Sequence, residues 1–174
     1  MTVFLARDTW LGRLLVARSE KGVCWVSRGE DDEELEGELR AGFPDAFMDP
    51  GDEQLVGWGG AIVAHLNGEL KELEVPVDVG GSLFQRRVWW ALKAIPYGRT
   101  RSYGEVARSL GAEVAPRAVA RACAANVLAV VVPCHRAVGQ DGDLTGFRWG
   151  LGRKRLLLER ERQVLGEPTQ MTLL

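Results

Sequence analysis

Between residues 82 and 126 the chain is punctuated so tightly that few folds remain open to it. Ser82 and Gln85 in "SLFQ" have capping-box spacing, which lets the serine oxygen receive backbone N–H groups of a first helical turn. Apolar Val88, Trp89, Leu92 and Ile95 follow at helical spacing until Pro96 stops the run. Ser102 and Glu105 in "SYGE" repeat the device and start a short helix with Val106, Ala107 and Leu110 inward. Gly111 is placed to end it, and Pro116 suits the first position of the next helix, "PRAVARACAAN", which continues through Asn126. Two short helices so joined predict a helix-turn-helix.

The second of these helices is thin. Ala118, Ala120, Ala122, Ala124 and Ala125 leave Arg117 and Arg121 standing out. Such a helix either packs closely on a neighbour or enters a narrow groove where bulkier side chains would clash. The first eighty residues read differently. "TVFLAR", "RLLVARS" and "GVCWVSR" are short β-leaning runs, which predicts a small antiparallel sheet. "EDDEELEGELRAGF" and "DEQLVGWGGAIVAHLNG" are helix-like, the latter weakened by its glycines, and "ELEVPVDVG" returns to an extended conformation. The expected fold class is α+β. A small α/β N-terminal domain with an antiparallel sheet (1–80) precedes a mostly helical, winged-helix-like C-terminal domain (81–174) carrying the helix-turn-helix, with the join near Gly80-Gly81.

Charge divides at the same place. Residues 1–81 carry 7 Lys/Arg against 17 Asp/Glu, whereas residues 82–174 carry 15 against 7, so an overall charge of −2 conceals an acidic half and a basic half. The basic half suits a polyanion, because Lys and Arg displace counterions from phosphate; a solvated helix surface is the plainer alternative. No stretch of 18 apolar residues occurs, so no membrane span is expected, and Arg7 and Asp8 interrupt what a secretory leader would need. Three cysteines without C-x-x-C spacing fit free thiols in a reducing cytoplasm.

Cys24 and Cys123 read as small core residues. Cys134 differs, because "VLAVVV" predicts a rigid buried strand that Pro133 ends, leaving the cysteine at the point where the chain departs from its sheet. A free thiol of pKa near 8.5 is largely protonated at neutral pH, so a base is needed, and His135 is adjacent. Sequence neighbours point in different directions, so a bridging water could carry the proton. Glu161 is the candidate to orient the imidazole, with Glu159 its local rival, whereas His65 reads as structural. One Cys and one His in succession do not supply zinc ligands, so no metal and no cofactor are expected. A cysteine protease has this nucleophile, but no use for a basic helix-turn-helix.

"FQRRVWWALKAIPYGRTRSYGEVA", "RAVARACAANVLAVVVPCHRAV" and "DGDLTGFRWGLGRKRLLLERE" together resemble the O6-alkylguanine-DNA alkyltransferase family block after block, over residues 83 to 161. The resemblance implies that Cys134 takes the alkyl group from guanine O6, and with it O4-alkylthymine, and keeps it as a thioether. It implies that His135 acts through a water, that Glu161 holds His135, and that Asn126 braces the turn around the cysteine. Tyr103 would crowd the target's 3′ phosphate and donate a hydrogen bond to the departing guanine; Arg117 would fill the vacated space in the duplex. Ser102, Tyr103, Arg117, Ala118 and Arg121 would face double-stranded DNA through its minor groove, while Pro133, Phe147, Arg148 and Trp149 would line the base pocket. A monomer acting once per molecule is expected.

Some positions depart from the family's habits. Ala120 and Arg121 stand where glycine is frequent, Phe147 where tyrosine is common, and Trp149 where some members have glycine, which predicts poor acceptance of large O6 substituents. Cys24 and His65 alone cannot make the zinc site of some members' amino-terminal domain, and no cysteine-rich regulatory segment is seen that would imply a transcriptional switch. Two other readings compete: a non-catalytic recruiter that binds alkylated DNA, whose relatives replace the cysteine, and a helix-turn-helix regulator.

Overall fold

The structure is a computed structural model that describes residues 1–167, so the last seven residues of the expected C-terminal unit lie outside the described residues. Short apolar runs near the start form three strands, β1 (Val3–Thr9), β2 (Gly12–Arg18) and β3 (Val23–Gly29), paired antiparallel in sequence order. Helix α1 (Asp32–Gly42) returns the chain so that a short β4 (Phe47–Met48) lies parallel to β1, giving the order β3-β2-β1-β4. The sheet is therefore antiparallel apart from one parallel edge strand.

Successive strand residues point to opposite faces, and here both faces are covered. Phe4, Leu15, Ala17 and Trp25 pack with Leu35 and Leu39 of α1, whereas Leu5, Leu14, Val16 and Val26 join Leu55 and Ile62 of α2 (Glu53–Leu66). Helix α2 forms despite its glycines: Asp52 caps it through the Leu55 N–H at 2.7 Å, and a Cβ on Gly59 would meet Leu5 Cδ1 at 3.4 Å.

In the second half the cap residues do what their spacing predicts. The capping box of Ser82 and Gln85 opens α3 (Leu83–Lys93), Ser102 accepts from the Glu105 N–H to open α4 (Tyr103–Leu110), and Pro116 begins α5 (Pro116–Ala124). Residues 111–115 join α4 to α5. Two-residue strands β5 (Arg101–Ser102) and β6 (Ala137–Val138) pair in parallel, and α6 (Leu151–Val164) ends the described fold. One core runs through both halves, from Leu14 and Val26 to Leu92, Leu128, Cys134 and Leu157. Among the described residues no helix is long and apolar enough to cross a membrane.

The run "VLAVVV" is not the strand expected. It makes only single bridges, Leu128 with Val26 and Ala129 with Val132, and turns back through Val130 at φ 75°. A β-branched residue in that region is strained by about 1–3 kcal/mol. The run is buried from Leu128 through Val132, which its composition records. Its hydrogen bonds, however, make no ladder: the Val127 carbonyl accepts from Val26 N–H (2.8 Å), and the Asn126 side chain takes the Leu128 N–H and the Val132 carbonyl.

Gly98, between α3 and β5, joins fold to site. Its φ is +76°, a Cβ there would run into Leu165 Cδ1, and its N–H donates to Glu161 Oε2 at 3.0 Å. Gly98→Ala is expected to lose about 1–3 kcal/mol of stability. That appears as a lower urea midpoint at unchanged slope; an unchanged midpoint contradicts it.

Candidate active site

Cys134 opens a 3₁₀ turn (Cys134–Arg136) immediately after Pro133, which is itself buried, and is 5% exposed. Its Sγ receives Asn126 Nδ2 at 3.1 Å. The same amide nitrogen donates to the Val132 carbonyl at 3.0 Å, and Asn126 Oδ1 accepts from Leu128 N–H at 2.9 Å. One buried side chain thus closes the 128–132 turn and touches the sulfur. Cys123, on the inward face of α5, lies close enough to Cys134 for the two thiols to influence each other's ionisation. Burial pushes the Cys134 thiol well above its ordinary range and the neighbouring Cys123 adds to this, against the pull of Asn126 and of the Lys154 charge. At rest the sulfur is a neutral thiol.

His135, also buried, places Nε2 2.7 Å from Glu161 Oε1. A carboxylate only accepts, so Nε2 carries the hydrogen and Nδ1, buried without a partner among the described residues, is left with a lone pair. Glu161 also receives Arg136 Nη2 at 2.8 Å, Arg136 Nε at 3.1 Å and Gly98 N–H at 3.0 Å. Arg136 in turn donates to the Ile95 carbonyl at 3.0 Å and lies over the Tyr97 ring. Between the two rival glutamates the structure therefore brings Glu161, not Glu159, to His135. Burial alone would raise the Glu161 carboxyl; the charge and bond of His135, followed by those of Arg136, outweigh it and hold the group at about 2.

Lys154 is a site residue that inspection of the sequence missed. It is fully buried, and its Nζ donates to the carbonyls of Ala137 (2.5 Å) and Thr145 (2.9 Å) and to Tyr103 Oη (3.3 Å). Burial lowers it to about 8, with the two thiols opposing, so it stays charged at neutral pH. Tyr103 Oη donates to the Thr145 carbonyl at 2.9 Å, and burial first of all raises its hydroxyl to about 12. In "RKRLLLERE" Lys154 passes for one more solvated charge. The signal was spacing: Lys154, Leu157, Leu158 and Glu161 form a buried stripe along α6.

The remaining candidates face several ways. On α5, Val119, Ala122 and Cys123 point inward, Arg117 and Arg121 are exposed and Ala118 is half-buried. Ser102 spends its oxygen capping α4, and Tyr103, expected on the DNA face as well, is turned inward. Phe147 stands edge-on to His135 at 6.5 Å and to the buried Trp149 at 5.9 Å, forming an aromatic wall. Arg148 is exposed, with its guanidinium over the Trp25 ring at 5.3 Å. Among the described residues no cluster of three or more His, Cys, Asp or Glu could hold a metal ion.

The depressed Glu161 carboxyl has a consequence for acid stability. A group whose folded pKa lies below its unfolded value contributes stability that is present above the unfolded value and lost as pH falls through the folded one. Unfolding at a series of pH values should show stability draining from the ordinary 4.5 towards about 2, with that part absent in Glu161→Gln. An equal acid loss in Glu161→Gln would contradict the assignment.

Comparison with known proteins accords with this geometry. The profile described as "6-O-methylguanine DNA methyltransferase, ribonuclease-like domain" matches residues 5–79, and that described as "6-O-methylguanine DNA methyltransferase, DNA binding domain" matches residues 83–163. The chain is 47% identical over 156 residues to the bifunctional transcriptional activator/DNA repair enzyme Ada of Escherichia coli, covering 90% of this chain but 44% of that protein. It therefore spans under half the length of Ada. It is 39% identical over 153 residues to the inducible methylated-DNA–protein-cysteine methyltransferase of Bacillus subtilis, covering 87% of this chain and 86% of that one. The crystal structure of Mycobacterium tuberculosis OGT in complex with DNA superposes with a TM-score of 0.80 at 38% identity over 96% of each chain. With both halves matched and the cysteine site intact, the chain belongs to the 6-O-methylguanine DNA methyltransferase family.

Proposed function

We propose that this protein repairs alkylated DNA by moving the alkyl group from guanine O6 onto Cys134 Sγ, once per molecule. The reading rests above all on a neutral buried thiol beside a histidine whose Nδ1 lone pair is free and whose other nitrogen is fixed by Glu161. His135 Nδ1 takes the thiol proton through a water, and the imidazolium so formed is stabilised by the Glu161 carboxylate. Asn126 Nδ2 stands ready to hydrogen-bond the developing thiolate. The sulfur electron pair forms a bond to the alkyl carbon as the carbon–oxygen bond breaks, and the leaving guanine takes up one proton, balancing the one the thiol gave. Tyr103, backed by the Lys154 ammonium, serves as hydrogen-bond donor to that guanine once it releases the Thr145 carbonyl.

Guanine O6 is turned inward in a stacked pair, so this chemistry requires the base to be flipped out of the duplex. The exposed Arg117 and Arg121 on an otherwise slim α5 suit entry into the minor groove of double-stranded DNA, with Arg117 occupying the gap left by the base. The aromatic wall of Phe147 and Trp149 beside His135 receives the base. A thioether does not exchange with thiols as a disulfide does, so no second turnover follows. No cofactor takes part because the lesion itself supplies the alkyl group, and the free thiols suit a monomer working in the cytoplasm.

Extrusion costs a few kcal/mol, so Arg117→Ala should slow repair of O6-methylguanine in duplex DNA by about tenfold or more. Reaction with the free base O6-methylguanine needs no flipping and should be far less affected. Equal losses on the two substrates would rule out the gap-filling role.

A further inference from the structure

The segment carrying Phe147 is held from two sides, and only one of them belongs to the C-terminal half. On its inner side Lys154 Nζ holds the carbonyls of Thr145 and Gly146 (2.9 and 3.4 Å), and Tyr103 Oη shares the first. On its outer side the Arg148 guanidinium lies over Trp25, a β3 residue of the first half, at 5.3 Å. Just beyond, Arg153 reaches Glu30 at 3.5 Å, and Glu30 also pairs with Arg28 at 2.7 Å. Trp25 is itself packed into the first half: it is buried, with Phe43 edge-on at 6.4 Å and Leu35 and Leu39 of α1 in the same cluster. The next residue, Val26, donates its N–H to the Val127 carbonyl at 2.8 Å, next to Asn126. Strand β3 thus touches both segments that flank Cys134, the turn behind the sulfur and the aromatic wall beside His135.

We infer that Trp25, through its stacked contact with Arg148, is a specificity-determining positioning residue that sets how far the Phe147–Trp149 wall stands from Cys134. The inference rests on the function proposed above. With the clamp closed, the aromatic wall beside His135 holds its place and works against a large O6 substituent. Release of Arg148 frees the outer side while Lys154 still holds the inner side, so the wall yields without losing its attachment. Glu30 is largely exposed, so its bond to Arg153 is screened by water and adds less than the ring contact.

The test compares the rates at which Cys134 is alkylated by two free bases, O6-methylguanine and O6-benzylguanine, in the full chain. A partly exposed cation–π contact governs a population shift of about three- to fivefold. The benzyl-to-methyl ratio should therefore rise by that factor in Trp25→Leu and in Arg148→Gln, and by no more in the double variant. Trp25→Phe and Arg148→Lys keep a ring and a cation and should retain the original ratio. Should Trp25→Leu fail to fold, Arg148→Gln decides alone, since it removes an exposed side chain and no core volume. An unchanged ratio in Arg148→Gln, single effects that multiply in the double variant, or Trp25→Phe behaving as Trp25→Leu overturns the clamp. A wild-type chain in which Cys134 takes neither alkyl group overturns instead the function on which the clamp rests.

Discussion

A buried carboxylate with four N–H partners is the constraint around which the reactive centre is built. Glu161 bonds His135, two nitrogens of Arg136 and the Gly98 backbone, with both side chains buried and Gly98 half-buried. Such a charge is costly to bury, and its pairing is poor evidence of stability in itself. What it supplies is position. His135 can turn only one nitrogen towards Glu161, so the other is committed to the side away from it. Arg136 ties the same carboxylate to the end of α3 through Ile95, and Gly98 ties it to the start of β5. The end of α3, the turn carrying Cys134 and the long helix α6 thus meet at fixed distances around one charge.

Asn126 does for the sulfur what Glu161 does for the imidazole. Its three bonds use both ends of the amide, so the side chain has one orientation only, and the Val130 backbone is held in a conformation that a valine would otherwise avoid. Strain is kept beside the reactive atom while the surrounding core, shared by both halves of the chain, keeps it from relaxing. The acidic half is therefore more than a solubilising attachment, because β3 supplies the N–H that anchors Val127 and the ring that meets Arg148.

Much of this was legible in the residues because local chemistry decides it. Ser82, Gln85, Ser102 and Pro116 set helix starts through their own hydrogen bonds or lack of them, and those starts stand where the spacing put them. Cys134 and His135 declared themselves by adjacency in a chain with only two histidines. What stayed hidden depends on contacts between distant segments. A β-branched apolar run looks the same whether it is a strand or a buried turn, and only Asn126 with its three partners makes "VLAVVV" the latter. Lys154 looked like a surface charge until the carbonyls of Ala137 and Thr145 closed over it, and Cys123 like simple core until α5 brought it against Cys134. The place of Arg148 over Trp25 could not be read at all, since 122 residues separate them in a chain whose halves carry opposite charge.

Everything proposed for this centre requires that Cys134 become permanently capped by carbon from a damaged base. Intact mass followed by peptide mapping, after incubation with a duplex containing a single O6-methylguanine, tests this directly. The account predicts a gain of one methyl group per chain, located on Cys134, resistant to added thiol and absent in Cys134→Ala. An unchanged mass with the lesion still present in the DNA would contradict it.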